Sequence, residues 1–182
     1  MKEEYLYIVD VNNVSTGEKI PRKEAHEKGR WHRTVHLYLY RKKEDSLEFL
    51  VHLRSMQKDS NPGKWDTRFG GHVEFGQESD VAVKREAQEE IGMDTDKLGL
   101  KKGIIRKGVS GTNKEFTHAF YGEFEGETSE LKFNDGEVQE VKWMGEAEIG
   151  RSMDENPQAW SASKESLTLI ADDIKRIISE AK

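Results

Sequence analysis

Apolar and polar positions alternate through EYLYIVDV, residues 4–11, which predicts a strand, and NNVSTGEKI supplies a turn followed by a second strand. The polar run PRKEAHEKGRWHR then reads as a short helix or loop. VHLYLY (35–40) and LEFLVHL (47–53) concentrate β-branched and aromatic side chains, so both are expected as strands, with KKEDS as a hairpin connection. RSMQKDSNPGK, containing Pro62-Gly63, reads as a loop. The period changes after it. Over Ser79–Ile91 the apolar residues Val83, Ala87 and Ile91 recur at helical spacing; Ser79-Asp80 marks the entry and Gly92 suits a left-handed C-terminal cap. Strands are expected at 100–107, 116–124 and 137–144, between the turns GTNKE and NDGE. A last helix from about Ser163 to Ala181 carries Leu167, Ile170, Ile174, Ile177 and Ile178 on one stripe. Strands and helices interleaved through short turns fit a mixed sheet flanked by helices.

Composition narrows this picture. At 182 residues the chain fits one domain plus an extension and can bury a core. Apolar residues make up 34 % and charged residues 35 %, yet aromatics run the whole length, which argues against disorder. The lack of cysteine removes disulfides, thiolate nucleophiles and cysteine-type zinc sites, and agrees with a reducing compartment. MKEEYLYIVDV lacks a signal-peptide pattern, and no stretch approaches the ~20 apolar residues of a membrane span, so a cytoplasmic protein is expected. A net charge of −6 disfavours nucleic acid and favours a small-molecule partner. An anionic substrate then needs local cations, for which Arg33, Arg54, Lys58, Lys64 and His72 are candidates, with Trp31, Trp65 or Trp160 for stacking. The stripe on the last helix packs on the domain or on a partner chain, which leaves a homo-oligomer open.

The chemistry concentrates in GGHVEFGQESDVAVKREAQEEIGM, residues 70–93. At about 100° per residue, Glu86, Glu89 and Glu90 share one helix face. In a chain with 35 acidic residues such a cluster is ordinarily a solvated face, but three carboxylates this close repel unless a cation sits among them. Oxygen ligands of this kind suit Mg²⁺ or Mn²⁺. From Gly71 onward the stretch resembles the Nudix box: Gly71, Arg85, Glu86, Ala87, Glu89, Glu90, Gly92 and Met93 all fall in place. With each of six polar or glycine matches at roughly one in ten, coincidence at a given start is about one in a million. Gln77 departs from the pattern, standing where the box has its first glutamate, and an acid follows one position later at Glu78.

The resemblance implies a Nudix fold, an α/β/α sandwich with a mixed β-sheet, and hydrolysis of a nucleoside diphosphate linked to another group. It implies Mg²⁺, with Mn²⁺ as the substitute, held by Glu86 and Glu90, with Glu89 as a further ligand or water-orienting base. A backbone carbonyl of Gly70 or Gly71 would join the shell, and Arg85 would orient Glu86. The family often draws its general base from outside the box, which makes Glu115 the first choice ahead of Glu137 and Glu140. Gln77 implies a tuned or weakened site.

The run from about Asp10 to Met144 is similar to the Nudix subgroup around type I isopentenyl-diphosphate isomerase, including a His-Arg pair before the first core strand and Pro-Gly-x-Trp-Asp before the box. On that likeness residues 1–30 form an N-terminal extension of hairpin and linker packed on a domain spanning 31–182. That subgroup's histidine and glutamate metal site is partly echoed by His26, His32, His72 and Glu115, with the spacing from His26 to His32 shorter by one residue. Its cysteine is replaced by Gly70, which opposes the same isomerisation. The alternatives to a hydrolase are therefore an isomerase-like protein acting on prenyl diphosphates and a nucleotide-sensing domain without catalysis.

Overall fold

The computed structural model describes residues 3–44, 46–58, 60–133 and 136–181. The expected turns KKEDS and NDGE and the loop 54–64 each include positions outside the described residues, namely Asp45, Asn134-Asp135 and Asp59.

The elements are β1 (Tyr5–Val9), β2 (Ser15–Pro21), α1 (Arg22–Glu27), β3 (Trp31–Lys43), β4 (Ser46–Arg54), β5 (Trp65–Asp66), α2 (Ser79–Ile91), β6 (Lys101–Ser110), β7 (Asn113–Glu123), β8 (Val138–Gly145), α3 (Glu146–Glu155) and α4 (Lys164–Glu180). β3 runs parallel to β7 and antiparallel to β1 and β4; β6 pairs with β7, and β8 and β5 pair with β4, all antiparallel. The sheet is thus mixed, as expected.

Alternation along β3 decides what each face holds. Val35, Leu37 and Leu39 point to one side, where they pack with Ala82, Val83, Ala87 and Ile91 of α2. Tyr38 and Tyr40 point to the other, where Ile149 and Met153 of α3 and Leu167, Ile170 and Ile174 of α4 close the second layer. Helices on both faces complete the α/β/α sandwich. Full burial of one such Val, Leu or Ile side chain contributes about 1.5–3 kcal/mol. The stripe of α4 is therefore occupied within the chain, with Ile177 and Ile178 at its margin.

Two elements go beyond the sequence expectation. α3 is a full helix, and β3 extends through the polar residues 31–34 because its pairing with β7 continues from Tyr40↔Glu123 back to Trp31↔Lys114.

Candidate functional site

The loop from β5 to α2 crosses the end of the sheet, tied to β3 by bridges of Phe69 to Leu37 and His72 to Thr34. Its glycines answer to steric need. Gly70 has φ +145°, and a Cβ there would fall 2.0 Å from the Val35 carbonyl oxygen; a Cβ on Gly71 would fall 2.6 Å from Glu86 Oε1. The loop is thereby pressed against α2, with the helix carboxylates closed over it.

α2 ends at Gly92 in the left-handed conformation, φ 64°, as its sequence expects. Of its three acids, Glu86 and Glu90 are buried, while Glu89 has a side chain 54 % exposed. The Gly70 N–H donates to Glu90 Oε2 at 2.9 Å, and Lys58 Nζ lies 3.3 Å from Glu90 Oε1 while also pairing with Glu137. Arg85 links the parts: it sits 2.8 Å from Glu86 Oε1, donates to Glu89 Oε2 at 2.9 Å, and donates to the His72 carbonyl at 3.0 Å. Burial pushes Glu86 up to about 7 against the opposing pull of Arg85. Burial likewise raises Glu90 to about 7, with Lys58 opposing. Two buried carboxylates held this close call for a cation, and the donor set, all oxygen, fits a hard divalent ion.

A second cluster stands beside the first. One ligating atom from each of His26, His32, His72 and Glu115 can be chosen so that all lie within 4.8 Å of one another. β3 and β7 supply His32 and Glu115 as direct cross-strand partners, α1 supplies His26 and the glycine loop supplies His72. The ring protons can be assigned from their partners. His32 Nδ1 lies 2.9 Å from the Arg30 carbonyl, which only accepts, so Nδ1 carries a proton and Nε2 is the atom turned into the cluster. That Nε2 is buried without a hydrogen-bond partner, 3.6 Å from Glu115 Oε1. His72 Nδ1 faces Glu4 Oε1 at 3.3 Å, which turns its Nε2 toward His26 Nε2 at 3.2 Å. Ligands about 2.0–2.1 Å from a tetrahedral ion stand about 3.3 Å apart; the His26–His72 and His32–Glu115 spacings are close to that while the whole group spreads to 4.8 Å, and three imidazoles with one carboxylate suit a softer ion than Mg²⁺. Burial lowers His26 to about 4, keeping it neutral; burial opposes ionisation of Glu115, but the nearby His32 ring and a hydrogen bond from Asn113 hold it down to about 2.

The other expected residues divide. Lys58 and His72 reach the carboxylate loop and the histidine cluster. Arg54 donates to the Ser60 carbonyl at 2.9 Å and lies 3.7 Å from the buried Asp66, bracing its own loop. Arg33 is not brought to the cluster: alternation puts it on the sheet face opposite His32, where it donates to the side chain and carbonyl of Asn13, each at 2.7 Å. Glu140 is exposed on β8, and Trp160 is a core residue packed against Trp65. Glu4, unremarked in the sequence, orients His72; nothing in the local pattern around Glu4 signals that role.

The sequence profile of the NUDIX domain family matches residues 30–168. Nudix hydrolase 3 of Arabidopsis thaliana is 36 % identical over 105 residues, 58 % of this chain and 13 % of that protein. An uncharacterised Nudix hydrolase of Clostridium acetobutylicum is 33 % identical over 124 residues, 66 % of this chain and 59 % of that one. The chain thus spans less than two thirds of either relative. Isopentenyl-diphosphate Delta-isomerase of Aliivibrio fischeri is 29 % identical over 169 residues, covering 85 % of this chain and 88 % of the isomerase. A solved Deinococcus radiodurans structure superposes with a TM-score of 0.72 at 21 % identity, covering 91 % and 98 % of the two chains. The NUDIX domain of Shewanella oneidensis NrtR, complexed with ADP ribose, gives 0.60 at 16 % identity, covering 80 % and 87 %. At these identities the structural likeness is one of fold.

Proposed function

The chain belongs to the Nudix family, and we propose on that footing that it is a divalent-metal-dependent pyrophosphohydrolase cleaving a nucleoside diphosphate linked to another group. The observation that carries the reading is the pair of buried carboxylates, Glu86 and Glu90, closed over Gly70 and Gly71 and pushed up to about 7 by burial. Glu86 and Glu90 would hold Mg²⁺ or Mn²⁺, with Glu89 and the Gly71 carbonyl at its margin. Such an ion, when bound, screens the diphosphate and lowers the pKa of water. Arg85 fixes Glu86 and the His72 backbone together. Lys58, 3.3 Å from Glu90, would turn to a substrate phosphate. Glu115, ionised and facing the same loop, is the group we assign to accept the proton of the attacking water. His26, His32, His72 and Glu115 would hold a second, softer ion, in which case Glu115 orients water as a ligand.

The isomerase-like reading draws support from the histidine cluster and from the isomerase relatives that align along most of the chain. Gly70 and the absence of cysteine oppose it. A panel of nucleoside diphosphate compounds with Mg²⁺ or Mn²⁺, read as phosphate release after a coupled phosphatase, tests the hydrolase. Glu90→Gln is expected to lower turnover at least about ten-fold. Wild-type turnover indifferent to a chelator would overturn the reading.

A further inference from the structure

The sheet face that carries His32 and Glu115 continues toward α4 and holds cations that neither cluster uses. Cross-strand register lines up His72, Thr34, Thr117 and Arg106 in one row. Two residues further along β3 and β7 come His36 and Ala119, and two further come Tyr38 and Tyr121. Residues i and i+2 share a face, so these rows all look the same way. Arg68 stands beside Tyr38, because its neighbour Phe69 bridges Leu37. The middle row carries the smallest groups: Ala119, buried in the core beneath α4, offers only a methyl group, and Gly70, alongside His36, offers nothing.

Arg68 is anchored at one end and open at the other, while Arg106 is held by both Ser166 and the Tyr38 side chain. Arg68 Nε donates to Asp66 Oδ2 at 3.2 Å, and Asp66 is fully buried, yet the terminal nitrogens of Arg68 bond no acceptor among the described residues and its side chain is 24 % exposed. Arg106 donates from one terminal nitrogen to Ser166 Oγ at 2.6 Å, in the first turn of the 17-residue α4, whose N-terminus Ser163 caps. Both guanidinium groups act on Tyr38 and on His36. Burial first, and then Arg68, lower His36 to about 3, so it stays neutral; the residue is half-buried, and its Nδ1 is buried without a hydrogen-bond partner. Asp66 is shared between Arg68 and Arg54, and Glu115 is engaged by His32 and Asn113, so positive charge is left over in a chain of net charge −6.

We propose that Arg68 and Arg106 form a phosphate-binding subsite beside His36, next to the histidine cluster. The planar guanidinium fork suits two oxygens of one phosphate, and the α4 N-terminus adds favourable potential. The occupant we assign is a phosphate of the substrate; that assignment rests on the hydrolase reading, whereas the binding of phosphate does not.

The test uses the full chain without metal, titrated with inorganic phosphate and pyrophosphate by calorimetry. Arg106→Met and Arg68→Met are each expected to weaken binding at least about ten-fold, since a charge-assisted bidentate contact is lost. Lys175→Met, an equal loss of charge at the Glu146 pair on α4, is expected to leave phosphate affinity unchanged. Should Arg68→Met unfold because Asp66 loses its partner, Arg68→Lys keeps a cation there without the fork, and is expected to hold its melting temperature while losing phosphate affinity. Unchanged affinity in the arginine variants, or no phosphate binding by the wild type, overturns the subsite. Competition between phosphate and a nucleoside diphosphate sugar supports the substrate as occupant; simultaneous binding overturns that assignment and leaves a site for free phosphate. Loss of every turnover in the panel, with phosphate binding intact, overturns the hydrolase reading alone.

Discussion

Gly70 separates the two chemistries that the relatives' names span. The isomerase-like subgroup resembled by the sequence carries a cysteine at this place, and here the backbone has adapted to its absence: φ is +145° and the position of a Cβ is taken by the Val35 carbonyl. Gly70→Cys is accordingly expected to destabilise by at least about 2 kcal/mol, from an unfavourable φ and a backbone clash. It is also expected to yield no exchange of solvent deuterium into isopentenyl diphosphate. Chemical denaturation and mass spectrometry check the two parts, and exchange by a stably folded variant would restore the isomerase reading. At the same scale, the Gln77 and Glu78 pair becomes clearer. Glu78 is exposed at the N-cap of α2 and acts on His118. Gln77 Oε1 is buried without a hydrogen-bond partner. The box glutamates were legible because their types and spacing are fixed by the helix. Glu4, Arg68 and Arg106 were not, because they reach the site only through strand register, and register depends on partners distant in sequence.

Among the elements, α2 was readable to its bounds because apolar spacing, entry residue and glycine cap all agree. α3 was not. Its sequence EAEIGRSMDE offers few apolar residues and contains Gly150, and the helix depends on Ile149 and Met153 entering the core beneath α4. β5 is two residues long and exists because β4 pairs with it, through His52↔Asp66 and Leu53↔Trp65. The His52 ring is fully buried, stacked on Phe69 with centroids 4.5 Å apart, and burial lowers its pKa from 6.5 to about 4. Between those values the unfolded chain binds a proton that the folded chain refuses, so stability falls as pH drops from 6.5 toward 4 and is full above 6.5. A shift of this size corresponds to a loss on the order of 3 kcal/mol when complete. Denaturation midpoints measured between pH 7 and 5 should carry this fall in the wild type, offset by the opposite contribution of Glu86 and Glu90, which bind protons in the folded chain over the same range. His52→Leu, which fills a similar volume and cannot titrate, should show a smaller fall; an unchanged pH slope would remove His52 from the account.

Over the whole molecule, the first thirty residues are joined to the site as much as to the sheet. β1 pairs with β3 at Ile8↔His32, Leu6 bridges Glu74 of the glycine loop, and Leu6, Ile8, Ile20 and Ala25 form a core of their own. From this segment His26 enters the histidine cluster, and Glu4 reaches past it to His72 while also acting on Glu86. The extension inferred from the sequence would then be a wall of the site, and occupation of the histidine cluster should tighten the docking of that wall. Mn²⁺ or Zn²⁺ is expected to raise the melting temperature of the whole chain, because a ligand bound only by the folded state stabilises it. Glu4→Gln keeps the shape but removes the anion that orients His72, and partners of this kind contribute about 10–100-fold in metal affinity. Its melting temperature without metal should stay near that of the wild type, since the Glu4 contacts to Arg22 and His72 are partly exposed to solvent. The increment produced by metal should shrink. An equal increment in both proteins would show that the N-terminal hairpin packs against the cluster without tuning it.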